Sequence, residues 1–198
     1  LGEGEETFYQ IVRSLQEGKD ISTLDGLVFL DQEGKVRVNN ERKLIENLDE
    51  IPRPAYHLIS VKDYFYSSKR NSQSPIYISS RNLPILSSRG CPYKCIYCHK
   101  TLGKSFRARS SSSVVDEIIW LKQTYNIEEL EFIDDIFNFD KVRAKEIFRK
   151  LADANLNLKI SFPSGIKYEM VDDELLKLFK RSGVYRLAFG IESGNPRI

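Results

Sequence analysis

The sequence lacks the features typical of secreted, membrane-spanning and nucleic-acid-binding proteins. Three cysteines occur among its 198 residues, an odd number confined to Cys91–Cys98, which excludes a disulfide framework and points to metal chemistry in a reducing compartment. The longest apolar runs, such as Gly26 to Leu30, fall far short of the about 18 residues that a membrane helix requires. The 30 basic and 28 acidic side chains leave a net charge of +2, so no field of one sign indicates nucleic acid or an acidic membrane. We therefore expect a cytoplasmic protein with no membrane span and no nucleic-acid partner.

Three elements are expected before residue 76. Apolar residues at helical spacing, with Gly18 at the position of a C-terminal cap, predict an amphipathic helix over 5–17 whose apolar face needs a partner. Two short apolar runs on either side of Asp31–Gly34 predict a β-hairpin. Residues 47–75 contain prolines and a serine-rich stretch, so they are expected to form a linker laid over a surface. The non-Met first residue, and an end after Pro196 without a closing helix, predict a fragment of a longer chain.

From residue 76 onward, short β-rich runs alternate with helical ones. Leu130, Leu158 and Tyr185 recur at intervals of 28 and 27 residues, the length of one strand–helix unit, and this alternation requires parallel strands joined by right-handed crossovers. The fold class is therefore α/β, a doubly wound sheet or part of a (β/α) barrel, with ligands at the carboxyl ends of the strands. Strands are predicted at 83–88, 130–133, 156–162 and 184–189, helices at 113–125, 140–154 and 172–182, and N-caps at Ser113, Asp140 and Asp172.

The cysteines lie on a loop directly after the first of these strands, in the sequence Gly-Cys-Pro-Tyr-Lys-Cys-Ile-Tyr-Cys over residues 90–98. An iron–sulfur cluster on Cys91, Cys95 and Cys98 leaves one iron without a protein ligand, which is the open position that a catalytic metal needs. The alternative is a non-catalytic, structural zinc module in which His99 completes a Cys₃His set. Adjacent ligands are awkward for zinc, because structural zinc motifs space successive ligands by at least two residues.

The spacing Cys-x-x-x-Cys-x-aromatic-Cys, here Cys91, Cys95, Tyr97 and Cys98, resembles the signature of the radical S-adenosylmethionine superfamily. The resemblance implies a [4Fe-4S] cluster held by the three cysteines, with S-adenosylmethionine on its fourth iron. It also implies reductive cleavage of S-adenosylmethionine to a 5′-deoxyadenosyl radical that abstracts hydrogen from a small-molecule substrate, with an electron donor such as flavodoxin or ferredoxin. The implied fold is a partial (β/α) barrel with about four of six strand–helix units.

A second segment of the resemblance follows the second strand of this region. Phe132–Phe137 is similar to the segment that meets the methionyl end of the cofactor in this superfamily. The resemblance implies that Asp134 or Asp135 offers a carboxylate to the ammonium group of S-adenosylmethionine. An aspartate pair at this position is equally typical of a solvated turn or a helix cap, so both interpretations stay open for each residue.

A third segment lies near the end of the chain. Gly190–Gly194 resembles the ribose-contacting segment of the family, which implies that Glu192 and Ser193 hydrogen-bond the ribose hydroxyls. By itself that pentapeptide is also compatible with an ordinary turn. Lys167 stands where relatives usually carry Arg. The residues predicted to contact the cofactor are thus Tyr97, Asp134, Asp135, Glu192 and Ser193. No side chain is predicted to be catalytic by itself.

The first residues resemble one branch of the superfamily. Gly2 to Phe8 with the following helix is similar to the end of the cobalamin-binding domain that precedes the radical core in that branch, and Pro52 to Tyr56 is similar to its linker. We expect three parts: a domain tail over 1–46, a linker over 47–75 and a truncated radical core over 76–198. The expected reaction is a cobalamin-linked methyl transfer, a carbon-skeleton rearrangement or a ring closure, with cobalamin bound by the parent protein.

Overall fold

The N-terminal part consists of a helix and a β-hairpin, as expected. The computed structural model describes residues 2–65, 77–98, 102–191, 193–195 and 197. Helix α1 (Gly4–Gln16) ends before Gly18, whose φ of 66° satisfies the predicted left-handed position. Strands β1 (Val28–Leu30) and β2 (Val36–Val38) pair antiparallel around the predicted turn.

A four-stranded parallel sheet forms the centre of the protein. It comprises β3 (Asn82–Ile85), β6 (Glu129–Phe132), β7 (Lys159–Phe162) and β8 (Val184–Leu187), in that spatial order; between β3 and β6 in the chain lie β4 (Ser88–Arg89) and β5 (Arg107–Ala108), which pair antiparallel. Leu83 lies opposite Leu130, and Leu130 opposite Ile160, so the predicted strand–helix repeat is confirmed. Strand β8 is an edge of this sheet, which agrees with a barrel that is only partly built.

The helices between the strands cover one face of the sheet. They are α2 (Ser111–Tyr125), α3 (Lys141–Ala154) and α4 (Asp173–Arg181), and their apolar sides enclose a phenylalanine-rich core. Phe132 and Phe162 stack there at 5.1 Å between ring centroids. The N-caps Asp140 and Asp172 are confirmed by bonds to Arg143 N and Leu175 N. The predicted cap at Ser113 is wrong, because α2 begins one turn earlier and Ser110 accepts the Ser113 N–H.

The opposite face of the sheet is polar. Glu131 accepts hydrogen bonds from the hydroxyls of Tyr77 at 2.8 Å and Ser161 at 3.3 Å. Glu129 accepts hydrogen bonds from the Ser79 N–H at 2.8 Å and from the Tyr185 hydroxyl. Burial, together with this bond to Glu129, raises the pKa of Tyr185 well above its usual value. Alternate side chains of each strand therefore separate an apolar face under the helices from a hydrogen-bonded face, as a barrel interior requires.

The segment that was expected to be a surface linker contributes to the core. Val61 and Phe65 are 3% and 5% exposed and belong to the main apolar cluster, and Leu48 is buried as well. The expectation of a surface path is therefore wrong for these positions, because burial of their large apolar side chains in the core stabilises the folded protein. The serine-rich stretch 67–74 lies outside the described residues. Among the helices that are described, none has the length and apolar run needed to cross a bilayer.

Candidate metal-cluster site

The cysteine loop begins and ends in a short antiparallel ladder. Strand β4 immediately precedes the loop and β5 follows it, with Ser88 opposite Ala108 and Arg89 opposite Arg107. The ladder lies just beyond the carboxyl end of β3, so the loop is held at the edge of the sheet where α/β proteins bind ligands. The predicted position of the cysteines is therefore confirmed.

Gly90 connects the ladder to the first cysteine in a way that no other residue allows. Its φ is +81°, and a Cβ atom at this position would overlap the carbonyl oxygen of Ser105 across the loop. The Gly90 N–H donates to Oδ2 of Asp135 at 3.1 Å. This bond places the Asp135 carboxylate beside the start of the cysteine loop. Because Asp135 is exposed, its carboxylate has lone pairs left for a ligand.

Asp134 and Asp135 differ in exposure: Asp134 is buried and Asp135 is exposed. Asp134 is 1% exposed, and its oxygens accept bonds from the hydroxyls of Ser87 and Ser88 and from the Ser87 N–H. Burial raises the pKa of Asp134 despite these bonds and the nearby charge of Arg143. Asp134 therefore ties β6 to the β3–β4 connection and contacts protein on all sides, so the structure does not place it where a cofactor could bind.

Aromatic side chains seat the cysteine loop between two neighbouring loops. The Tyr93 ring packs edge-on against Phe139, which follows β6, at 6.2 Å between centroids, and Phe106 packs on Phe139 at 5.0 Å. The ammonium group of Lys167, which follows β7, lies 4.8 Å from the Tyr93 ring centroid, in cation–π geometry. Lys167, which stands where relatives usually carry Arg, thus contacts the cysteine loop.

Asn138 holds the two neighbouring loops together. It is fully buried, its side-chain oxygen accepts the Lys167 N–H at 2.9 Å, and its amide donates to the Lys167 carbonyl at 2.8 Å. Both backbone groups of Lys167 are therefore satisfied by one side chain. No sequence pattern predicts this role, since a single Asn in a loop has no diagnostic spacing.

The cysteines carry the donor chemistry that an iron–sulfur cluster needs. None of the three is in a disulfide; Cys91 is half-buried, and Cys95 and Cys98 are exposed. The Cys98 N–H bonds the Cys95 carbonyl at 3.3 Å, forming a turn that holds the last two ligands together. Within the described part of the chain, no three Cys, His, Asp or Glu side chains converge as ligands of a single metal ion. His99, the fourth ligand of the zinc alternative, lies outside the described residues. Three thiolates on one open loop fit a cluster with an open iron.

The remaining residues that were predicted to contact the cofactor are Tyr97, Ser193 and Glu192. Tyr97 is 70% exposed on the loop itself. Ser193 is exposed and its hydroxyl accepts the Asn195 N–H at 3.0 Å, which is a local turn. Glu192 lies outside the described residues. The predicted ribose contacts of Ser193 and Glu192 therefore stay predictions.

The two arginines after the loop are paired within the protein. Arg107 is bonded to both carboxylate oxygens of Glu3 at 2.9 Å, and Arg109 to the buried carboxylate of Glu117. Burial raises the pKa of Glu3, but the hydrogen bonds from Arg107, the Ile45 N–H and Arg89 outweigh it, so that the pKa is lowered overall. Sequence reasoning missed Glu3, because its partner is 104 residues away.

A cavity of about 440 Å³ adjoins the base of the loop. Four of its five charged groups are paired, Arg89 with Glu5 and Arg109 with Glu117. The fifth, Arg53, lies over the Trp120 ring at 5.3 Å. The walls that remain are mostly apolar, which suits the apolar part of a ligand. They come from the 51–56 segment and from the ends of β3 and β6: Ile51, Pro52, Pro54, Tyr56, Pro84, Leu86 and Ile133.

The fold and the loop together define a class of protein: an α/β partial barrel that carries three cysteines on the loop after its first barrel strand. The sequence of residues 85–198, more than half of the chain, matches the Radical SAM superfamily. The chain belongs to that superfamily.

Two relatives align with the whole of this chain. It is 35% identical over 199 residues to an uncharacterized methyltransferase of Pyrococcus horikoshii. It is 33% identical over 220 residues to cytidylyl-2-hydroxyethylphosphonate methyltransferase of Streptomyces wedmorensis. The chain spans 40% of the length of each of these curated relatives.

Solved structures of the radical S-adenosylmethionine methyltransferase TsrM from Kitasatospora setae share this fold. The TM-score is 0.73 for the structure with tryptophan and a S-adenosylmethionine analogue, and 0.71 for the one with cobalamin and a [4Fe-4S] cluster. Both matches cover 99% of this chain at 20% identity, and they cover 37% and 38% of the TsrM chain. The predicted partial barrel is thus confirmed.

Proposed function

We propose that this chain is the cluster-binding part of an enzyme that cleaves S-adenosylmethionine reductively. The observation that carries the proposal is the arrangement of Cys91, Cys95 and Cys98, none of them in a disulfide, on one loop at the carboxyl edge of the sheet. Membership of the superfamily supports the same role. The three thiolates would hold a [4Fe-4S] cluster and leave one iron open for S-adenosylmethionine.

The chain's own residues then position the cofactors. Gly90 and Asp135 fix the start of the loop, and Tyr93 with Lys167 fixes its outer side. Asp135 is the exposed carboxylate that would accept the ammonium group of S-adenosylmethionine. When bound, the reduced cluster supplies one electron to the sulfonium, which gives methionine and a carbon-centred 5′-deoxyadenosyl radical.

The finer reaction that we propose is methyl transfer assisted by cobalamin. The names of the two relatives support methyl transfer, and the TsrM structure that contains cobalamin supports the cofactor. Residues 1–46 would be the tail of a cobalamin-binding-like domain, and 76–198 the front of the radical core. The substrate would be a small molecule. Reducing equivalents would come from a flavodoxin or ferredoxin, and three cysteines without a disulfide suit the reducing cytoplasm.

Anaerobic reconstitution with iron and sulfide tests the cluster assignment. We expect a brown protein with about four irons per chain, whose reduced EPR spectrum changes when S-adenosylmethionine is added. Cys95→Ala should abolish the cluster, because a two-thiolate loop cannot hold it. Cys95→Ser is the matched variant that keeps the size of the side chain and removes only the sulfur.

Two results would overturn the assignment. A colourless, zinc-loaded protein whose spectra ignore S-adenosylmethionine would establish the structural zinc module instead. Full iron content in Cys95→Ala would show that other residues hold the metal. Methyl transfer is tested separately on the full-length protein with cobalamin and S-adenosylmethionine, in which a ring-closed product without added methyl would contradict the finer proposal.

A further inference from the structure

Two arginines lie directly opposite each other at the base of the cysteine loop. Arg89 precedes Gly90 and Cys91, and Arg107 follows the loop, and the two are paired in the β4–β5 register. Their side chains are 13% and 8% exposed. Like charges at opposed positions of an antiparallel pair repel, and low exposure strengthens the repulsion because water screens it less. The ladder that closes the loop therefore requires a counter-charge.

Glu3 supplies that counter-charge from outside the loop. Its side chain is 2% exposed, and Oε1 accepts from both Arg89 and Arg107 at 2.9 Å. Oε2 accepts from Arg107 at 2.9 Å and from the Ile45 N–H at 2.7 Å. One carboxylate thus bridges the two strands of the ladder, while Glu5 adds a second, more exposed partner for Arg89.

Residues 44–45 contact the part of the loop that follows the cysteines. Arg107 donates to the carbonyls of Ile45 and Leu102, so it links the two segments. Gly103 has a φ of +89°, and a Cβ there would overlap the side chain of Leu44. Residues 44–45 and 102–103 are therefore in close contact, independently of the Glu3 carboxylate.

We propose that Glu3 is a positioning residue of the metal-cluster site, acting by neutralising the Arg89–Arg107 pair that closes the cysteine loop. The N-terminal segment is then part of the cluster site, although it lies 86 and 104 residues from its two partners. The proposal rests on the proposed cluster function, and it makes the geometry of the loop depend on a residue outside the radical core.

Amide hydrogen exchange of the protein without a cluster tests the closure itself. In Glu3→Gln, peptides that cover β4 and β5 should exchange about tenfold faster than in the wild type, because two buried guanidinium groups then face each other with only Glu5 beside them. In the double variant Glu3→Gln/Arg107→Met, the repulsion is gone and exchange should return toward the wild-type rate. A ladder whose exchange is unchanged in Glu3→Gln overturns the proposal.

Glu117→Gln is the matched control. Glu117 is also a buried carboxylate, 3% exposed, paired with the neighbouring arginine Arg109, but it does not bridge the ladder. It should lower overall stability without raising exchange selectively in β4 and β5. Equal effects of Glu3→Gln and Glu117→Gln on the ladder would reduce Glu3 to an ordinary ion pair and overturn the positioning role.

Reconstitution then connects the closure to the cluster. Glu3→Gln should hold about half the iron of the wild type or less, and the reduction potential and EPR g-values of the remaining cluster should shift. Glu3→Asp keeps the charge and should restore most of the iron; it also serves if Glu3→Gln fails to fold. A wild type without a cluster would refute the proposed function alone. A wild-type cluster whose content, potential and spectrum are untouched by Glu3→Gln would refute this inference alone.

Discussion

Asp172 begins helix α4 with its carboxylate between cationic side chains and a helix N–H. Lys145 lies 2.9 Å from Oδ2 and Lys141 3.3 Å, while Oδ1 accepts the Leu175 N–H at 3.0 Å. The bond from Lys145 and then the bond from Leu175 lower the pKa of Asp172 to about 2. An unfolded Asp has a pKa of about 3.9, so the charged carboxylate favours the folded state above that pH.

The stabilisation by Asp172 should therefore be complete at neutral pH and disappear between about pH 4 and pH 2. Asp172→Asn keeps an acceptor oxygen for the Leu175 N–H but removes the charge. Urea midpoints of the wild type and the variant should differ at pH 7 and converge as the pH falls toward the lowest value at which both stay folded.

Asp172→Ala provides the control, because it removes the cap as well as the charge. It should stay less stable than Asp172→Asn at every pH, since a protonated or amidated side chain still accepts the N–H bond. A difference between the wild type and Asp172→Asn that is constant from pH 7 downward would contradict the lowered pKa.

Single residues also mark the limit of local sequence patterns. Asp140 and Asp172 were predicted as N-caps from their positions before apolar periodic runs, and both are. Ser113 was not the cap of α2, because the run Ser110–Ser113 offers four equivalent hydroxyls and the pattern cannot choose among them. Packing of Ser111 and Val114 in the protein interior decides where that helix begins.

At the scale of elements, the 47–65 segment is fixed to helix α2 by a group of aromatic rings. Tyr56 packs against both Trp120 and Tyr125 at 5.8 Å between centroids, and Arg53 lies over the Trp120 ring at 5.3 Å. Burial raises the pKa of the Tyr56 hydroxyl to about 12. The segment therefore behaves as part of the barrel's outer layer rather than as a free tether.

Tyr56→Ala should consequently destabilise the protein by about 2 kcal/mol, because it removes a half-buried ring and two aromatic contacts. The matched control is Leu58→Ala in the same turn, 76% exposed, which should change stability by less than about 0.5 kcal/mol. Urea unfolding followed by circular dichroism measures both. Equal, small effects would restore the view of this segment as an independent linker.

The helices of the radical core, of 9 to 15 residues, are long enough to show helical periodicity, and the short strands could be predicted because they alternate with those helices. The spacing of Leu130 and Leu158 indicated the strand–helix unit, and the strands of the sheet are parallel as expected, with Leu130 opposite Ile160. The five residues 61–65 are too few for a periodic signal, so the burial of Val61 and Phe65 could not be predicted. Their position depends on an apolar surface that exists only once α2 and the sheet have formed.

At the scale of the whole molecule, the position of the cysteine loop was predictable and the contacts that support the loop were not. Cys91, Cys95 and Cys98 are defined by local spacing, and their place after β3 follows from the order of elements. Glu3 and Asn138 act through contacts across 104 and 29 residues, for which no local pattern exists. The sequence therefore predicts the part of the site whose residues lie close together in the chain. It does not predict the part in which the fold brings distant segments together.

Helix α1 joins the rest of the molecule by one end and a narrow stripe. Glu3 immediately before it is buried, and Thr7 is its one buried residue, whereas Phe8, Tyr9 and Leu15 are 68%, 56% and 61% exposed. The partner expected for its apolar face is not among the described residues. Helix α3 has a similar length, 14 residues against 13, but buries five side chains including Ile147 and Phe148.

This contrast predicts different local stabilities for two helices of similar length. A 13-residue helix is marginal by itself, and buried contacts account for most helix stability in proteins. Native-state hydrogen exchange should therefore be at least about a hundredfold faster for the amides of α1 than for those of α3. Phe8→Ser should leave the urea midpoint unchanged, whereas Phe148→Ala should lower stability by about 3–5 kcal/mol. Equal protection of the two helices would contradict this prediction and show that the apolar side of α1 is covered in solution; if protection falls on dilution, the cover is another copy of the chain.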